Sequence, residues 1–484
     1  MSNDLKHKTI TALFWSFVEK FGQQIMYLLT GMIVARIVSP SEYGLVGVLA
    51  VFTAFSTILT ESGFTAALIR KQHVEEDDFS TVFVFNTVVS VALYLILFFC
   101  APLIARFFDA PRLTVIARVL FLAVVFYSFG IIQHIQLTRR LAFKTLGKIN
   151  LMALFLSSLG SVFLATSGYG VWALVMQTVG LAFFRTLFLW VYGQWRISFR
   201  FRFDVLRSFF GYSSRLILVS ALNAIANNCY GLLIGKLYNK ADVGYYNQGA
   251  KYEDIPAGIV MNTFRGVLFP VLSKVTDDHA RTKRVLRRVM SALARVIFPV
   301  MFLLILIARP LIVLLISDIW LPSVPVFQIL CLSGVFMPFA MLFGESFSAM
   351  GRSGLYLRYE LVRKGLLFAA IFLFYQAGIE ALAWVWVGYM GVSVLLSLFF
   401  MRFTLPYSFK EFAADTWLPF VISALLAFGL YRITPLFTNM YLLMGVQIVV
   451  MGTLYLAILF YFNDETLMEA VGLARKKFRE RVSR

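Results

Sequence analysis

Charge is what this chain has least of. Only 14% of its 484 residues are Asp, Glu, Lys or Arg, against about 25% in a typical soluble domain, so an ordinary water-soluble fold is excluded. Cysteine is scarcer: Cys100, Cys229 and Cys331 lie far apart in apolar stretches, which suggests neither a disulfide framework nor a thiolate metal site. The four histidines, His7, His73, His134 and His279, are too scattered for a metal centre or a base–nucleophile pair. A Walker-type loop is missing, which argues against ATP as the energy source. No polar stretch reaches the roughly 50 residues that an independent catalytic domain needs. These absences argue against an enzyme, and no metal or organic cofactor is expected.

What is present is hydrophobic surface. Apolar residues make up 60% of the chain, including 50 Phe, 21 Tyr and 8 Trp, a composition suited to lipid-facing walls and interfacial belts. Apolar runs of about 20 to 28 residues each suffice to cross a bilayer. Fourteen are legible, near 10–37, 44–69, 80–105, 113–138, 149–166, 169–194, 212–235, 243–272, 291–316, 323–350, 357–376, 379–401, 416–434 and 440–462. With the N-terminus placed in the cytoplasm, thirty Lys and Arg fall on the inner side, seven outside and seven within spans. That is the positive-inside bias. The net charge of +19 therefore reports membrane orientation, and no nucleic-acid partner is expected. Lys6-His7-Lys8 runs into the first span without a small-residue cleavage site, so a cleaved signal is not expected. Both termini are expected to be cytoplasmic, with a basic tail over 463–484 that suits anionic membrane lipids.

The chain also repeats itself. At an offset of 200 residues, Gly31 falls on Gly231, Arg36 on Lys236, Glu42 on Asp242, Gly44 on Gly244 and Phe64 on Phe264, without a gap. Six spans per copy is an even number, so both copies enter from the same side and the repeat is parallel, as in many secondary transporters. The expected fold is an all-α integral membrane protein with two six-helix lobes plus two C-terminal helices. The N-lobe covers 8–195, a basic interfacial linker 196–211, the C-lobe 212–402, and the final helix pair 416–462. A second interfacial segment is expected over Lys274–Met290, where Lys283, Arg284, Arg287 and Arg288 alternate with Val285, Leu286 and Val289. The acidic runs Glu75–Asp78 and Asp277–Asp278 suit helix caps or pairing with nearby cations rather than metal.

Polar residues inside spans are costly, about 2.5–3.5 kcal/mol for a central charge on insertion scales, and normally face a cavity or a partner. On the first span Ser16, Glu19, Gln23, Tyr27 and Thr30 form one stripe at steps of three and four, bordered by Lys20. In the second copy Asn223, Asn227 and Tyr230 stand at the positions of Gln23, Tyr27 and Thr30. A cavity lined by both stripes and hydrogen bonding between helices within each lobe are the two readings. On the eighth span Lys251, Asp254, Gly258, Asn262 and Arg265 share a face spread over about 80° at 100° per residue, while Glu253 points away and suits pairing with a neighbour. Arg185, Glu61 and Glu345 are further cavity candidates.

The blocks "ARIVSPSEYGLVGV" (35–48), "SGYGVWALVMQ" (167–177) and "GKLYNKADVGYYNQGAKYEDIP…FRGVLFPVLSKVTDD" (235–278) resemble the Wzx-type polysaccharide flippases. These belong to the multidrug/oligosaccharidyl-lipid/polysaccharide exporter superfamily, and the likeness is to its colanic-acid-exporter-like branch, over residues 8–402. The resemblance implies alternating-access movement of undecaprenyl-pyrophosphate-linked oligosaccharide across the bacterial inner membrane, from the cytoplasmic to the periplasmic leaflet. It also implies coupling to H+ or Na+, with membrane lipids and other polysaccharide assembly proteins as partners. On that reading Lys20, Arg185, Lys251 and Arg265 escort the diphosphate; Gln23, Tyr27, Asn223, Asn227 and Asn262 meet sugar hydroxyls; and Glu19, Glu61, Asp254 and Glu345 are the coupling candidates. The alternatives are a multidrug/cation antiporter of the same superfamily, whose sites favour acidic walls over Lys and Arg, and a polysaccharide polymerase or ligase, whose large outer loop this chain lacks.

Overall fold

A computed structural model of the chain describes residues 3–71, 74–140, 142–197, 200–207, 224, 228–275, 278–350 and 352–462. Among these residues there is no β-strand. The complete helices are α1 (Asn3–Ile37), α2 (Pro40–Arg70), α3 (Glu76–Phe107), α4 (Leu113–Leu120), α5 (Leu122–Arg139), α6 (Phe143–Thr166) and α7 (Val171–Tyr192), followed by α8 (Lys240–Val275), α9 (His279–Leu315), α10 (Ser323–Ala349), α11 (Ser353–Phe374), α12 (Ile379–Met401), α13 (Phe409–Arg432) and α14 (Met440–Tyr461). Residues 228–237 are also helical, while most of the expected span 212–235 and the tail 463–484 lie outside the described residues.

Among the described residues ten helical stretches are long and apolar enough to cross a bilayer, α4 and α5 together forming one of them. Three further helices have the length but carry charge in their midst: α1 with 35 residues, α8 with 36 and α11 with 22. At 1.5 Å per residue even α11 is about 33 Å long, enough for a hydrocarbon core of about 30 Å. The protein is therefore a multi-pass, all-α membrane protein.

Two compact units divide the chain, Met1–Gly244 and Tyr245–Arg484. In the first, α3 packs on α4 and α5, α5 on α7, and α6 on α7 and α1. In the second, α9 packs on α10, α10 on α12, and α11 on α12. The third, fourth, fifth and sixth spans of each copy thus choose the same neighbours. Inside the first unit the repeat also explains a glycine pair. A Cβ on Gly44 would run into the carbonyl oxygen of Lys240, and one on Gly244 into that of Pro40. Two first turns cross backbone to backbone there, a distance only glycine allows.

The basic linker is docked rather than merely laid on a surface. Trp195 and Leu206 are buried in a cluster with Leu68, Phe79, Val82, Phe83, Ile131, Ile132 and Ile135. Trp195 donates its indole N–H to Glu76 at 3.0 Å, and Arg200 and Arg202 each lie 3.7 Å from Asp77. Its outward residues, Phe201, Phe203, Arg196 and Arg207, remain exposed. Both acidic runs do cap helices: Asp78 accepts from the Glu75 amide at 2.9 Å and binds Lys71 at 2.6 Å, and Asp278 accepts from the Arg281 amide at 2.9 Å.

The expected interfacial segment Lys274–Met290 is corrected. From His279 it is the start of α9, a helix of 37 residues, and its basic side chains grip α13. Lys283 reaches Glu411 at 2.7 Å, and Arg287 holds Asp415 through two nitrogens at 2.6 and 2.8 Å. Positions 283 and 287 are one turn apart and face a neighbour, whereas Arg284 and Arg288 on the flank stay exposed. Tyr407 adds a hydrogen bond to Asp415 at 2.9 Å, and Tyr455 of α14 one to the Arg295 carbonyl at 2.9 Å. The C-terminal helix pair is therefore stapled to α9.

Candidate functional site

In the first unit the α1 stripe resolves into two parts. Glu19 accepts hydrogen bonds from Gln23 at 3.2 Å and from Asn150 of α6 at 2.6 Å. Gly147, one turn before Asn150, lets the helices close, since a Cβ there would lie 3.3 Å from that of Glu19. Glu19 thus joins α1 to α6, and Gln23 supports it from the same helix. Lys20 is exposed.

One turn further along α1, Tyr27 lies within Coulombic reach of Arg185 on α7, as does His134 on α5. The Arg185 guanidinium sits 5.7 Å from the ring centre of Tyr127. Arg185, His134, Tyr127, Thr186 and Gly130 line a cavity of about 90 Å³, room for a few waters at about 30 Å³ each or for the oxygens of an anion. The Arg185 Nε is buried without a hydrogen-bond partner, and among the described residues the side chain forms no ion pair. A partly buried, unneutralised cation beside a polar cavity is an anion-binding arrangement. His134 and Tyr127 were not singled out from sequence. A lone histidine in an apolar run carries no signal until the fold brings α5 against α7.

In the second unit, α8 turns Asp254 and Asn262 outward, leaves Lys251 half-buried, and has nothing within 4 Å of the Cβ position of Gly258. These four positions form one unpacked stripe. Glu253 occupies the packed side, buried at 5% exposure, with its Oε1 unbonded and aimed at Gly334 and Met301. The expected pairing of Glu253 with a neighbour is not found among the described residues, because the helices packed on it present Gly334, Met301 and Cys331 rather than a cation. Asn223 and Asn227 lie outside the described residues, and so do the side chains of Glu61 and Arg265.

Glu345 of α10 is half-buried and within Coulombic reach of Tyr356 on α11, as are Glu360 and Arg363, which were not singled out from sequence. Glu360 holds Arg363 at 2.8 Å and Lys364 at 3.8 Å, and all three side chains are only 14–15% exposed. Their spacing of three and four residues in a helix between two apolar spans was the available signal. Among the described residues no group of three or more His, Cys, Asp or Glu is arranged to hold a metal ion.

The geometry is that of membrane helices with cations held among them, and among the described residues no catalytic group is assembled. A family model described as "Polysaccharide biosynthesis protein" matches residues 33–325, well over half of the chain. The chain belongs to this family. Among its relatives, the succinoglycan biosynthesis transport protein ExoT of Rhizobium meliloti (strain 1021) is 27% identical over 340 residues, 70% of this chain and 69% of the relative. The teichuronic acid biosynthesis protein TuaB of Bacillus subtilis (strain 168) is 26% identical over 390 residues, 78% of this chain and 79% of the relative. The inward closed conformation of the lipid II flippase MurJ superposes with a TM-score of 0.74 at 16% identity, over 94% of this chain and all of MurJ. That last likeness shows the fold: this family member shares the helix arrangement of a flippase.

Proposed function

We propose that the protein is a secondary transporter that moves an undecaprenyl-diphosphate-linked oligosaccharide from the cytoplasmic to the outer leaflet of the bacterial inner membrane for surface polysaccharide assembly. Arg185 carries the proposal: a cation with no ion-pair partner among the described residues, lining a polar cavity within a family of polysaccharide biosynthesis proteins. A diphosphate head left bare in hydrocarbon would cost tens of kcal/mol by Born estimates, so a carrier for it needs cations and wet surface along the way. Lys251, with Asn262 on the same open stripe of α8, supplies a second such surface.

The movement is by alternating access, with both termini in the cytoplasm and with lipids and other assembly proteins as partners. H+ or Na+ drives it. Asp254 on the open stripe is the favoured coupling carboxylate, because Glu19 is already engaged by two amides. One charge moved across the membrane gains about 2.3 kcal/mol per 100 mV, enough to bias such a cycle.

The test is complementation. A strain that makes a matching polysaccharide and lacks its own flippase receives this chain, and surface polymer is scored. Restored polymer that falls about tenfold with Arg185→Ala and with Lys251→Ala, at unchanged protein level in the membrane, is the expected outcome. Restoration untouched by both substitutions would keep the function and remove these two cations from the path. No restoration, with ion-dependent drug efflux instead, would select the antiporter.

A further inference from the structure

We propose that the crevice between α11 and α12 holds the first isoprenoid units of the carrier lipid while its diphosphate meets Arg363 at the middle of the membrane. This rests on the reading of the protein as a carrier of isoprenoid-diphosphate-linked glycan, and names a site for the lipid end of that substrate.

The crevice has a volume of about 530 Å³ and is walled almost wholly by hydrocarbon. On the α11 side Arg363, Leu366, Ala370 and Phe374 follow one another at steps of three and four, a straight stripe about 16 Å long at 1.5 Å per residue. Across from it Gly388 of α12 has nothing within 4 Å of its Cβ position, which widens the trough, and Trp384 stands half-exposed on the wall. An apolar trough with a single cation in its wall is shaped for an amphiphile with one chain and an anionic head.

The charge in that wall is built, not incidental. Glu360 binds Arg363 at 2.8 Å and Lys364 at 3.8 Å, which fixes the guanidinium from its own helix. The guanidinium lies 5.4 and 5.6 Å from the ring centres of Tyr359 and Tyr389, which hold it in place. Its Nε is buried without a hydrogen-bond partner. The guanidinium is thus fixed and short of an acceptor.

Depth decides the occupant. Arg363 is the eleventh of the 22 residues of α11, about 16 Å from either end and therefore near the mid-plane of a core about 30 Å thick. A resident phospholipid keeps its phosphate at the interface, half a membrane away. Only a lipid whose anionic head is itself crossing the bilayer brings phosphate to this level, with its tail trailing along the trough.

The test uses the full-length protein in phospholipid nanodiscs with a benzophenone-bearing geranylgeranyl diphosphate, whose chain is about as long as the trough, and maps the photo-adducts by peptide mass spectrometry. Adducts on residues 366–392 are expected. They should fall about tenfold with Arg363→Gln and with Gly388→Leu, survive Arg363→Lys, and be displaced by unlabelled geranylgeranyl diphosphate but not by geranylgeraniol. Adducts only elsewhere, none at all, or labelling indifferent to these substitutions would overturn the inference. Equal displacement by phosphatidylglycerol would overturn it in favour of a resident lipid. Should Arg363→Gln fail to fold, Gly388→Leu, which fills open space, decides. Failed labelling with restored surface polymer in the complementation assay sinks this site alone; failure of both sinks the transport reading with it.

Discussion

The two units share a packing pattern, yet α1 in the first and α11 in the second keep their carboxylates in opposite ways. In the first, Glu19 on α1 is satisfied from its own helix and from the next by the amides of Gln23 and Asn150, so the polar group ties helices together. In the second, Glu360 pairs with Arg363 and Lys364 within one turn of α11, and the Arg363 Nε stays without a hydrogen-bond partner. A neutral clamp across helices resists movement between them. A cation paired along its own helix travels with it and keeps its free N–H available. The difference assigns the Glu19 contact to rigidity and the α11 cluster to recognition.

The largest effect expected from breaking the comparison is on Glu360. Glu360→Ala leaves two cations facing each other inside the helix bundle, and removal of one member of a buried ion pair costs about 3–5 kcal/mol. Glu19→Gln keeps an acceptor oxygen for Asn150 and should cost less than about 1 kcal/mol, in line with the modest worth of hydrogen bonds between membrane helices. Thermal unfolding of both variants in the same detergent checks this. Equal losses would mean that the first unit also depends on the charge of its carboxylate, and the contrast would fail.

Arg185 gives the next effect, with the opposite sign. Removing a cation that has no ion-pair partner among the described residues should leave stability unchanged or raise it, by at most the roughly 2.5–3.5 kcal/mol that a central charge costs on insertion. Arg185→Met is therefore expected to melt no lower than the wild type while export falls. A less stable Arg185→Met protein would show that the guanidinium is part of the structure of the first unit, held by Tyr127 and His134, rather than a functional group carried at a cost.

How much of this was legible beforehand follows from what sequence patterns report. Span positions were readable because hydropathy is a local sum. The offset of 200 residues placed Gly44 on Gly244, and the backbone crossing that uses both needed only coordinates to be seen. The Glu19 stripe was readable as a face, but which of two uses it served depended on Asn150, 131 residues away. The α11 cluster was missed for the reason that makes it interesting. Charges near the start of a span read as headgroup-seeking, so Glu360, Arg363 and Lys364 carry no signal of their own inside the expected span 357–376. Lys283 and Arg287 were misread as surface-seeking, because a basic stripe looks the same whether lipid headgroups or Glu411 and Asp415 answer it.

The smallest effect tests the comparison at its exposed limit. Arg202 donates to Asp204 at 2.7 Å in the linker, and that hydrogen bond holds the Asp204 carboxyl below the usual aspartate range. A lowered carboxylate pKa contributes stability above the ordinary value of about 3.9 and loses it only as pH falls through the lowered one. Both side chains are well exposed, at 48% and 66%, so water and salt screen the pair. Asp204→Asn should therefore leave the melting temperature flat from about pH 5 to 8, with or without added salt. The linker is anchored instead by Trp195 and Leu206, whose burial does not titrate. A melting curve for Asp204→Asn that dropped at neutral pH would mean that exposed charge, too, fastens this part of the first unit, and that its polar groups are structural at every depth rather than only where Glu19 meets Asn150.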